Sequence, residues 1–128
     1  RFPDRTVVAV AGDGDFLMNG QELATAAQYG LDLLVIVVDN GAYGTIRMHQ
    51  EREFPNRVSA TELKNPDFAM LAEAFGAWTG RVDTTAAFKD ALAEAKGRGG
   101  LRLIHCVIDT EQLSASGLSV SGLRAASD

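Results

Sequence analysis

Two short polar segments contain the side chains best suited to bind a metal ion or a phosphate. They are Gly12-Asp13-Gly14-Asp15 and Asp39-Asn40-Gly41-Ala42-Tyr43-Gly44. Glycines in the first segment allow a ligand to approach the backbone closely, and a following helix would offer free N–H groups to a phosphate. The carboxylates of Asp13 and Asp15 would repel a bare diphosphate, so a divalent cation is needed between carboxylate and phosphate. Mg²⁺ prefers oxygen ligands and often combines one or two carboxylates with phosphates.

The second segment supplies a further oxygen ligand, the side-chain amide of Asn40. Asp13 and Asn40 are 27 positions apart, which suits one strand–helix–strand unit. Neighbouring parallel strands lie about 5 Å apart, so the two side chains could reach one ion. The spacing therefore predicts a magnesium–phosphate site shared by two strand ends.

The elements that must position these segments alternate along the chain. Apolar, β-branched runs predict strands, and apolar residues at helical spacing predict helices. The predicted strands are Thr6–Ala11 (buried), Leu33–Val38 (central, with apolar residues on both faces), Trp78–Val82 (an edge or short strand) and Leu101–Ile108. The predicted helices are Asn19–Tyr29, Tyr43–Glu51, one beginning at Asn65-Pro66 with Asn65 as N-cap, and Ala86–Lys96, capped by Thr84 or Thr85. This order predicts an α/β fold with a parallel sheet and helices on both faces, a three-layer αβα arrangement. Ligands bind such sheets at the carboxyl ends of the strands, where both polar segments fall.

Composition excludes several classes of protein. The 128 residues have a formal charge of −5, which argues against nonspecific nucleic-acid binding. The longest apolar run, Leu33–Val38, is far too short to span a membrane. Cys106 is the only cysteine, which excludes an internal disulfide and fits a cytoplasmic location. We expect one domain over residues 1–110 and a flexible C-terminal tail over residues 111–128. From Ser114 on, the tail is rich in Ser, Gly and Ala and is expected to contribute little to the core.

The two segments together resemble the thiamine-diphosphate motif, a GDG followed after about two dozen residues by NN. The surrounding sequence, AGDGDFLMNGQELATAAQYGLDLLVIVVDNGAYGTIRMHQE, is similar to the acetolactate-synthase and pyruvate-decarboxylase-like superfamily, and nearer to acetolactate synthase. The resemblance runs from Arg1 to about Ile108. It implies the pyrophosphate-binding domain, with thiamine diphosphate and Mg²⁺ as cofactors.

The resemblance also implies individual roles. Asp13 would be the first metal ligand, Asn40 the second, and the main-chain carbonyl of Ala42 the third. Backbone N–H groups of Gly14 and Asp15 would meet the diphosphate. The implied cofactor-binding set is Gly12, Asp13, Gly14, Asp15, Asn40, Ala42, Tyr43, Gly44 and Thr45. Asp39 departs from the motif, which has Asn there, and would make the site more negative.

What the resemblance implies for the whole enzyme exceeds what this chain contains. A complete enzyme would decarboxylate a 2-oxo acid such as pyruvate, and the resulting carbanion would be transferred to a second carbonyl compound or protonated. It would be a thiamine-diphosphate-dependent lyase or transferase. The active site would also need a pyrimidine-binding domain from the same or a neighbouring subunit, so a homo-oligomer is expected. No part of this sequence resembles that domain, so we expect no catalytic acid or base in this chain and an inactive isolated fragment. We also expect the first elements of the pyrophosphate domain to be absent, which would give an N-terminally truncated fold.

Other interpretations remain beside this one. The GDGD segment could be a plain turn, or the chain could be a stand-alone module that binds a magnesium–phosphate ligand without catalysis. It could also be an interaction domain with vestigial cofactor loops. A calcium loop is excluded, because Leu17, Met18 and Ala24 occupy positions that need a ligand, a glycine and a glutamate.

Several reactive residue types are predicted to have no role in chemistry. His49 is expected on the surface, whereas His105 and Cys106 are expected in the core of the last strand, with the hydrogen bonds of His105 satisfied. The arginines of the polar region, Arg47, Arg52 and Arg57, are expected to be surface charges.

Overall fold

The fold is described by a computed structural model over residues 5–114 and 117–126. These residues form four strands, with helices between successive strands, as the sequence predicts. The strands are β1 (Val8–Gly12), β2 (Leu33–Asp39), β3 (Trp78–Val82) and β4 (Leu101–Val107); the helices are α1 (Asp13–Asn19), α2 (Leu23–Gln28), α3 (Gly44–Glu53), α4 (Phe68–Glu73), α5 (Thr85–Lys96) and α6 (Val120–Ala125). A 3₁₀ turn, Gly20–Glu22, joins α1 to α2. The described residues form six helices where the sequence predicts four, because α1 and α6 were not predicted.

The four strands form one parallel sheet in the order β1-β2-β4-β3. Its register pairs Gly12 with Val38 and Asp39 with Val107, so the strands end together at one edge. β3 lies at the edge of the sheet and β2 in the interior, as predicted. The expected parallel α/β sheet is therefore confirmed.

Each face of the sheet packs against helices. On one face, Phe16 of α1, Leu23 of α2 and Phe68 of α4 pack with Val35, Val37 and Leu103 of the strands. On the other face, α5 covers a second core. The buried residues of that core are Leu34, Val82, Ala95, Ile104 and Cys106. Apolar residues alternate between the two faces along β2 and β4, which confirms the three-layer arrangement.

Two features near the N-terminal end differ from the predictions: the burial of β1 and the start of the first helix. β1 was expected to be a buried strand, but Val8 and Val10 are 47% and 68% exposed. The reason is that β1 forms an edge, and no described element covers these side chains. The first helix begins at Asp13 rather than at Asn19, so Asp13, Gly14 and Asp15 form its first turn instead of a separate loop.

The start of α4 also differs from the prediction. Asn65 is not its N-cap, and the helix begins at Phe68. The cap is Asp67, whose side chain accepts hydrogen bonds from the backbone N–H groups of Ala69 and Met70 at 2.9 and 3.1 Å. By contrast, the cap of α5 is Thr84, one of the two threonines expected there, since its hydroxyl accepts from the N–H of Ala87 at 3.2 Å.

The segment predicted as a flexible tail contains α6. Val120 is buried, so the expectation that this segment contributes little to the core is wrong at that residue. Arg124 makes two hydrogen bonds to Glu51 of α3, at 3.0 and 2.9 Å. The division of the chain at residue 110 stays a prediction.

The longest helix in the described part of the chain, α5, has 12 residues. No helix there combines the length and apolarity that crossing a bilayer requires.

Candidate functional site

A cavity of about 720 Å³ lies at the carboxyl ends of β1, β2 and β4. All nine residues of the predicted cofactor-binding set line it. Sequence reasoning missed the remaining lining residues, which are mostly apolar: Met18, Val38, Ile46, Ile108, Gln112, Leu113 and Ser114. The fold therefore brings the two polar segments to one concave surface, as the strand-end argument predicts.

The junction between β1 and α1 holds the first predicted metal ligand. Asp13 is only 3% exposed. One carboxylate oxygen, Oδ1, accepts from the backbone N–H of Gly14 at 3.0 Å, and Oδ2 accepts from the Nδ2 of Asn65 at 2.6 Å. Asp15 is exposed, and its Oδ2 accepts from the N–H of Gly12 at 3.3 Å. Only Asp13 of this pair is thus held in the interior.

The second polar segment is fixed by hydrogen bonds within itself and to its surroundings. The Oδ1 of Asn40 accepts from the N–H of Ala42 at 3.1 Å, which closes a side-chain turn. The Asn40 carbonyl accepts from the Thr110 hydroxyl at 2.7 Å. Tyr43 donates its N–H to the carbonyl of Thr61 at 2.8 Å. The segment is therefore anchored on both sides before any ligand binds.

Two glycines allow side chains of the site to pack closely. A Cβ atom on Gly14 would lie 2.5 Å from the Cε1 of Tyr43, so the tyrosine ring occupies the space of a side chain at that position. A Cβ atom on Gly44 would lie 3.0 Å from the Nδ2 of Asn40. Any larger residue at either position would displace a side chain that lines the cavity.

Behind the cavity, Asn65 and His105 join the two acidic residues into a polar network. The Nδ2 of Asn65 donates to Asp13 and, at 2.8 Å, to the Oδ1 of Asp39. The Oδ2 of Asp39 lies 2.8 Å from the Nε2 of His105, and its Oδ1 also accepts from the N–H of Gly41 at 3.0 Å. The network thus spans the ends of β1, β2 and β4.

The two carboxyl groups of this network have opposite pKa shifts. Burial raises the pKa of Asp13 above its usual value, and the nearby Asp39 contributes to the rise. Burial also acts to raise the pKa of Asp39, but hydrogen bonds from His105, Asn65 and Gly41 outweigh it and leave that pKa lowered. The surroundings therefore disfavour the charged form of Asp13 more than that of Asp39.

Sequence reasoning did not find Asn65 as part of the site. The Asn-Pro pair looked like a helix start, and only the path of the chain between α3 and α4 brings the amide to Asp13. An antiparallel bridge between Ala42 and Glu62 fixes that path. The sequence alone also did not assign a role to Asp39, which the structure shows to be a member of the network.

The structure tests where the other reactive residue types were expected to lie. His49 is exposed, and Cys106 is buried in the core. His105 is buried and pairs with Asp39, but no described group hydrogen-bonds its Nδ1, so the expectation of a fully satisfied histidine is only partly met. Arg47 is not a surface charge, since its side chain is 11% exposed and pairs with Glu51.

The available ligand atoms fit a magnesium ion bound together with phosphate. Within residues 5–114 and 117–126, no group of three or more His, Cys, Asp or Glu is arranged to hold a metal. The predicted set is instead one carboxylate, one amide oxygen and one main-chain carbonyl, which are all hard oxygen donors. Asp13 has only neutral hydrogen-bond donors around it, so a cation would supply the positive charge that the described protein groups do not.

Similarity to known proteins agrees with this geometry. The family "Thiamine pyrophosphate enzyme, C-terminal TPP binding domain" matches residues 1–106. The large subunit of acetolactate synthase isozyme 2 from Escherichia coli (strain K12) is 40% identical over 108 residues, covering 84% of this chain and 20% of that protein. The acetolactate synthase large subunit from Parasynechococcus marenigrum (strain WH8102) is 49% identical over 77 residues, covering 59% of this chain and 12% of that protein.

A solved structure shares the fold. A proposed thiamin diphosphate-dependent enzyme from Mycobacterium smegmatis superposes with a TM-score of 0.68 at 30% identity, covering 83% of this chain and 18% of that one. The chain thus spans a fifth or less of these three proteins. By sequence and by structure, it belongs to the thiamine pyrophosphate enzyme family as an acetolactate-synthase-like C-terminal TPP-binding domain.

Proposed function

We propose that this chain holds the diphosphate end of thiamine diphosphate through a magnesium ion bound by Asp13, Asn40 and the main-chain carbonyl of Ala42. The observation that carries the proposal is the state of Asp13. It is a buried carboxylate on the wall of a large cavity, and no positively charged side chain within residues 5–114 and 117–126 is seen to hydrogen-bond to it. A buried charge without a charged partner is costly, and a bound cation would remove that cost.

The cavity wall suits an anionic ligand that arrives with its own cation. Backbone groups of Gly14 and Asp15, in the first turn of α1, lie on the wall next to Asp13. Tyr43, Gly44 and Thr45 form the opposite polar part of the lining. The apolar residues among the other lining groups, such as Met18 and Leu113, would exclude water from the less polar part of the cofactor.

The proposal extends to the protein in which this domain works. There we expect decarboxylation of a 2-oxo acid such as pyruvate, followed by carbon–carbon bond formation or protonation, which makes the enzyme a transferase or lyase. The cofactor would supply the electron sink for this reaction. The chain's own residues bind and orient its diphosphate, and none of them is assigned as a catalytic acid or base.

Completion of the active site would require a pyrimidine-binding domain of the same or a neighbouring subunit. The acetolactate synthases to which the chain is similar are named as large subunits, which supports an oligomer. At the edge strand β1, the apolar side chains of Val8 and Val10 are exposed, and this supports further packing there. We expect the enzyme to be cytoplasmic and the isolated domain to be inactive.

Calorimetry of the full-length protein with thiamine diphosphate, with and without Mg²⁺, tests the metal assignment. Asp13→Ala should lower the Mg²⁺-dependent affinity for the cofactor at least tenfold, because it removes the charged ligand. Asp90→Ala is the matched control, since Asp90 is an exposed aspartate on α5, and it should bind as the wild type does. Equal affinity in Asp13→Ala and the wild type would reject the role of Asp13. Tight binding without any 2-oxo acid turnover would favour a non-catalytic magnesium–phosphate module.

A further inference from the structure

We propose that Asn65 is a positioning residue for the metal site: its single amide nitrogen holds the Asp13 carboxylate in place against Asp39. This inference rests on the proposed function, because it gives Asn65 a role toward the ion that Asp13 would bind. Asn65 lies 52 positions from Asp13 and 26 from Asp39, and its Nδ2 is within 2.6 and 2.8 Å of their oxygens.

The two hydrogens of one amide group match the two carboxylates. A primary amide nitrogen has two N–H donors, and here each has a different carboxylate as its acceptor. Without these donors the carboxylates would face each other and repel. A lysine would also bring them together, but its charge would compete with the metal ion for Asp13. A neutral double donor therefore holds the carboxylate and leaves its charge available.

The orientation of the amide is determined by its surroundings. No described group donates a hydrogen bond to the buried Oδ1 of Asn65. Reversing the amide would point this oxygen at two carboxylate oxygens, which is repulsive. The nitrogen must therefore face Asp13 and Asp39, and the amide has one stable orientation.

Several contacts hold the other end of the network in place, so the hydrogen bonds of Asn65 connect Asp13 to a fixed group. Asp39 is held by the N–H of Gly41 and by His105, which is itself buried and packed edge-on against Phe68 at a ring-centroid distance of 5.2 Å. The backbone that carries Asn65 is anchored as well, since the N–H of Leu63 donates to the Gly41 carbonyl at 2.8 Å. Groups that orient metal ligands in this way commonly change metal affinity 10–100-fold when removed.

The test uses Mn²⁺ as a spectroscopic substitute for Mg²⁺, with thiamine diphosphate, in the full-length protein. The dissociation constant of Mn²⁺ and the line shape of the bound ion are measured by electron paramagnetic resonance. Asn65→Ala should weaken Mn²⁺ binding about tenfold and alter the line shape, because Asp13 would no longer be held in one orientation. Asn65→Ser retains one donor and should weaken binding at least threefold; it decides the question if Asn65→Ala does not fold.

Two controls separate positioning from general loosening of the structure. Asn19→Ala changes an exposed asparagine and should leave the Mn²⁺ dissociation constant within twofold of the wild type. Thr84→Ala removes the cap of α5, a helix that makes no hydrogen bond to the network among the described residues, and should lower the melting temperature of the metal-free protein with much less effect on the Mn²⁺ dissociation constant. An equal loss of affinity in Thr84→Ala and Asn65→Ala would overturn the inference.

The remaining outcomes distinguish this inference from the proposed function. Wild-type affinity and line shape in a folded Asn65→Ala variant, in a protein that binds Mn²⁺ with the cofactor, would overturn the inference alone. A wild-type protein that binds no Mn²⁺ with thiamine diphosphate would overturn both.

Discussion

Two carboxylates of this domain are almost equally buried but have opposite surroundings. Glu51 is 1% exposed and Asp13 is 3% exposed. Glu51 accepts hydrogen bonds from the guanidinium groups of Arg47 and Arg124 and from the N–H of Asn56. Among the residues that the structure describes, Asp13 accepts from a backbone N–H and a neutral amide alone, and it is close to a second carboxylate, that of Asp39.

The pKa values express this difference. The hydrogen bonds from Arg124 dominate at Glu51 and hold its pKa at about 2, whereas burial dominates at Asp13 and raises its pKa. The charge of Glu51 is thus balanced within the chain and connects α3 to α6. The charge of Asp13 is left unbalanced, which is expected of a residue whose partner binds from solution. Burial alone therefore does not distinguish these two carboxylates; the charge of their neighbours does, and under the proposed function that charge separates a structural carboxylate from a metal-binding one.

Removal of the balanced carboxylate should have the largest effect on stability. Glu51→Ala would leave two guanidinium groups without their partner, and we expect the free energy of unfolding to fall by about 3 kcal/mol, near the lower end for broken buried ion pairs. Urea denaturation measures the change. Glu53→Ala, an exposed position on the same helix, is the control and should change stability by less than about 0.5 kcal/mol. A similar small change in Glu51→Ala would contradict the assigned structural role.

The pH dependence of stability should follow from the same ion pair. The pKa of Glu51 is about 2 in the folded state against an ordinary value of 4.5. Between these values the unfolded chain binds more protons, so the contribution of Glu51 to stability falls as the pH falls from 4.5 to about 2. Acid titrations followed by circular dichroism should show a shallower loss of stability in Glu51→Gln than in the wild type. Parallel curves would mean that Glu51 is not charged and paired in the folded state.

The unbalanced carboxylate should behave in the opposite way. A raised pKa means that the charged form of Asp13 destabilises the folded protein, so this contribution improves as the pH falls through the folded pKa. Asp13→Asn should therefore leave the metal-free protein as stable as the wild type, or raise the free energy of unfolding by up to about 1 kcal/mol at neutral pH. Thermal unfolding without metal or cofactor measures this, with Asp90→Asn as the matched surface change. A clear loss of stability would show that Asp13 is a structural residue.

The smallest effect is expected at an exposed ion pair. The side chains of Glu94 on α5 and Arg98, which lies just beyond the C-terminal end of that helix, are 2.7 Å apart at the Oε1 and Nη2 atoms. The Arg98 side chain is 49% exposed and that of Glu94 is 53% exposed. Water screens such a pair, so Glu94→Gln should change the free energy of unfolding by less than about 0.5 kcal/mol. A loss comparable to that of Glu51→Ala would show that burial does not govern the strength of ion pairs in this protein.

Much of the fold was predictable because its signals are local. The apolar runs of β2 and β4 are covered on both faces and read as parallel strands. Thr84 marks the start of α5 by its own hydrogen bond. The start of α4 was mispredicted because Asn65 and Asp67 are both good capping residues. In the tertiary structure Asn65 donates to Asp13 and Asp39 instead, and Asp67 caps the helix.

The residues that line the cavity also divide into those that the local sequence predicts and those that it does not. The nine predicted residues are found together because strand ends of a parallel sheet must share an edge, and the sequence spacing already places them there. The apolar residues from the C-terminal segment, such as Leu113, could not be predicted to line the cavity, since no local pattern specifies where an irregular segment folds back.

The sequence by itself determined the alternation of strands and helices and the polar segments at the ends of β1 and β2, because periodicity and turn chemistry act over a few residues. Only the tertiary structure decided which charges are balanced. It brought Arg124 to Glu51, 73 positions away, and Asn65 to Asp13, 52 positions away. Hydrogen bonds and ion pairs depend on distances of about 3 Å, and distances between remote segments are set by packing rather than by local sequence.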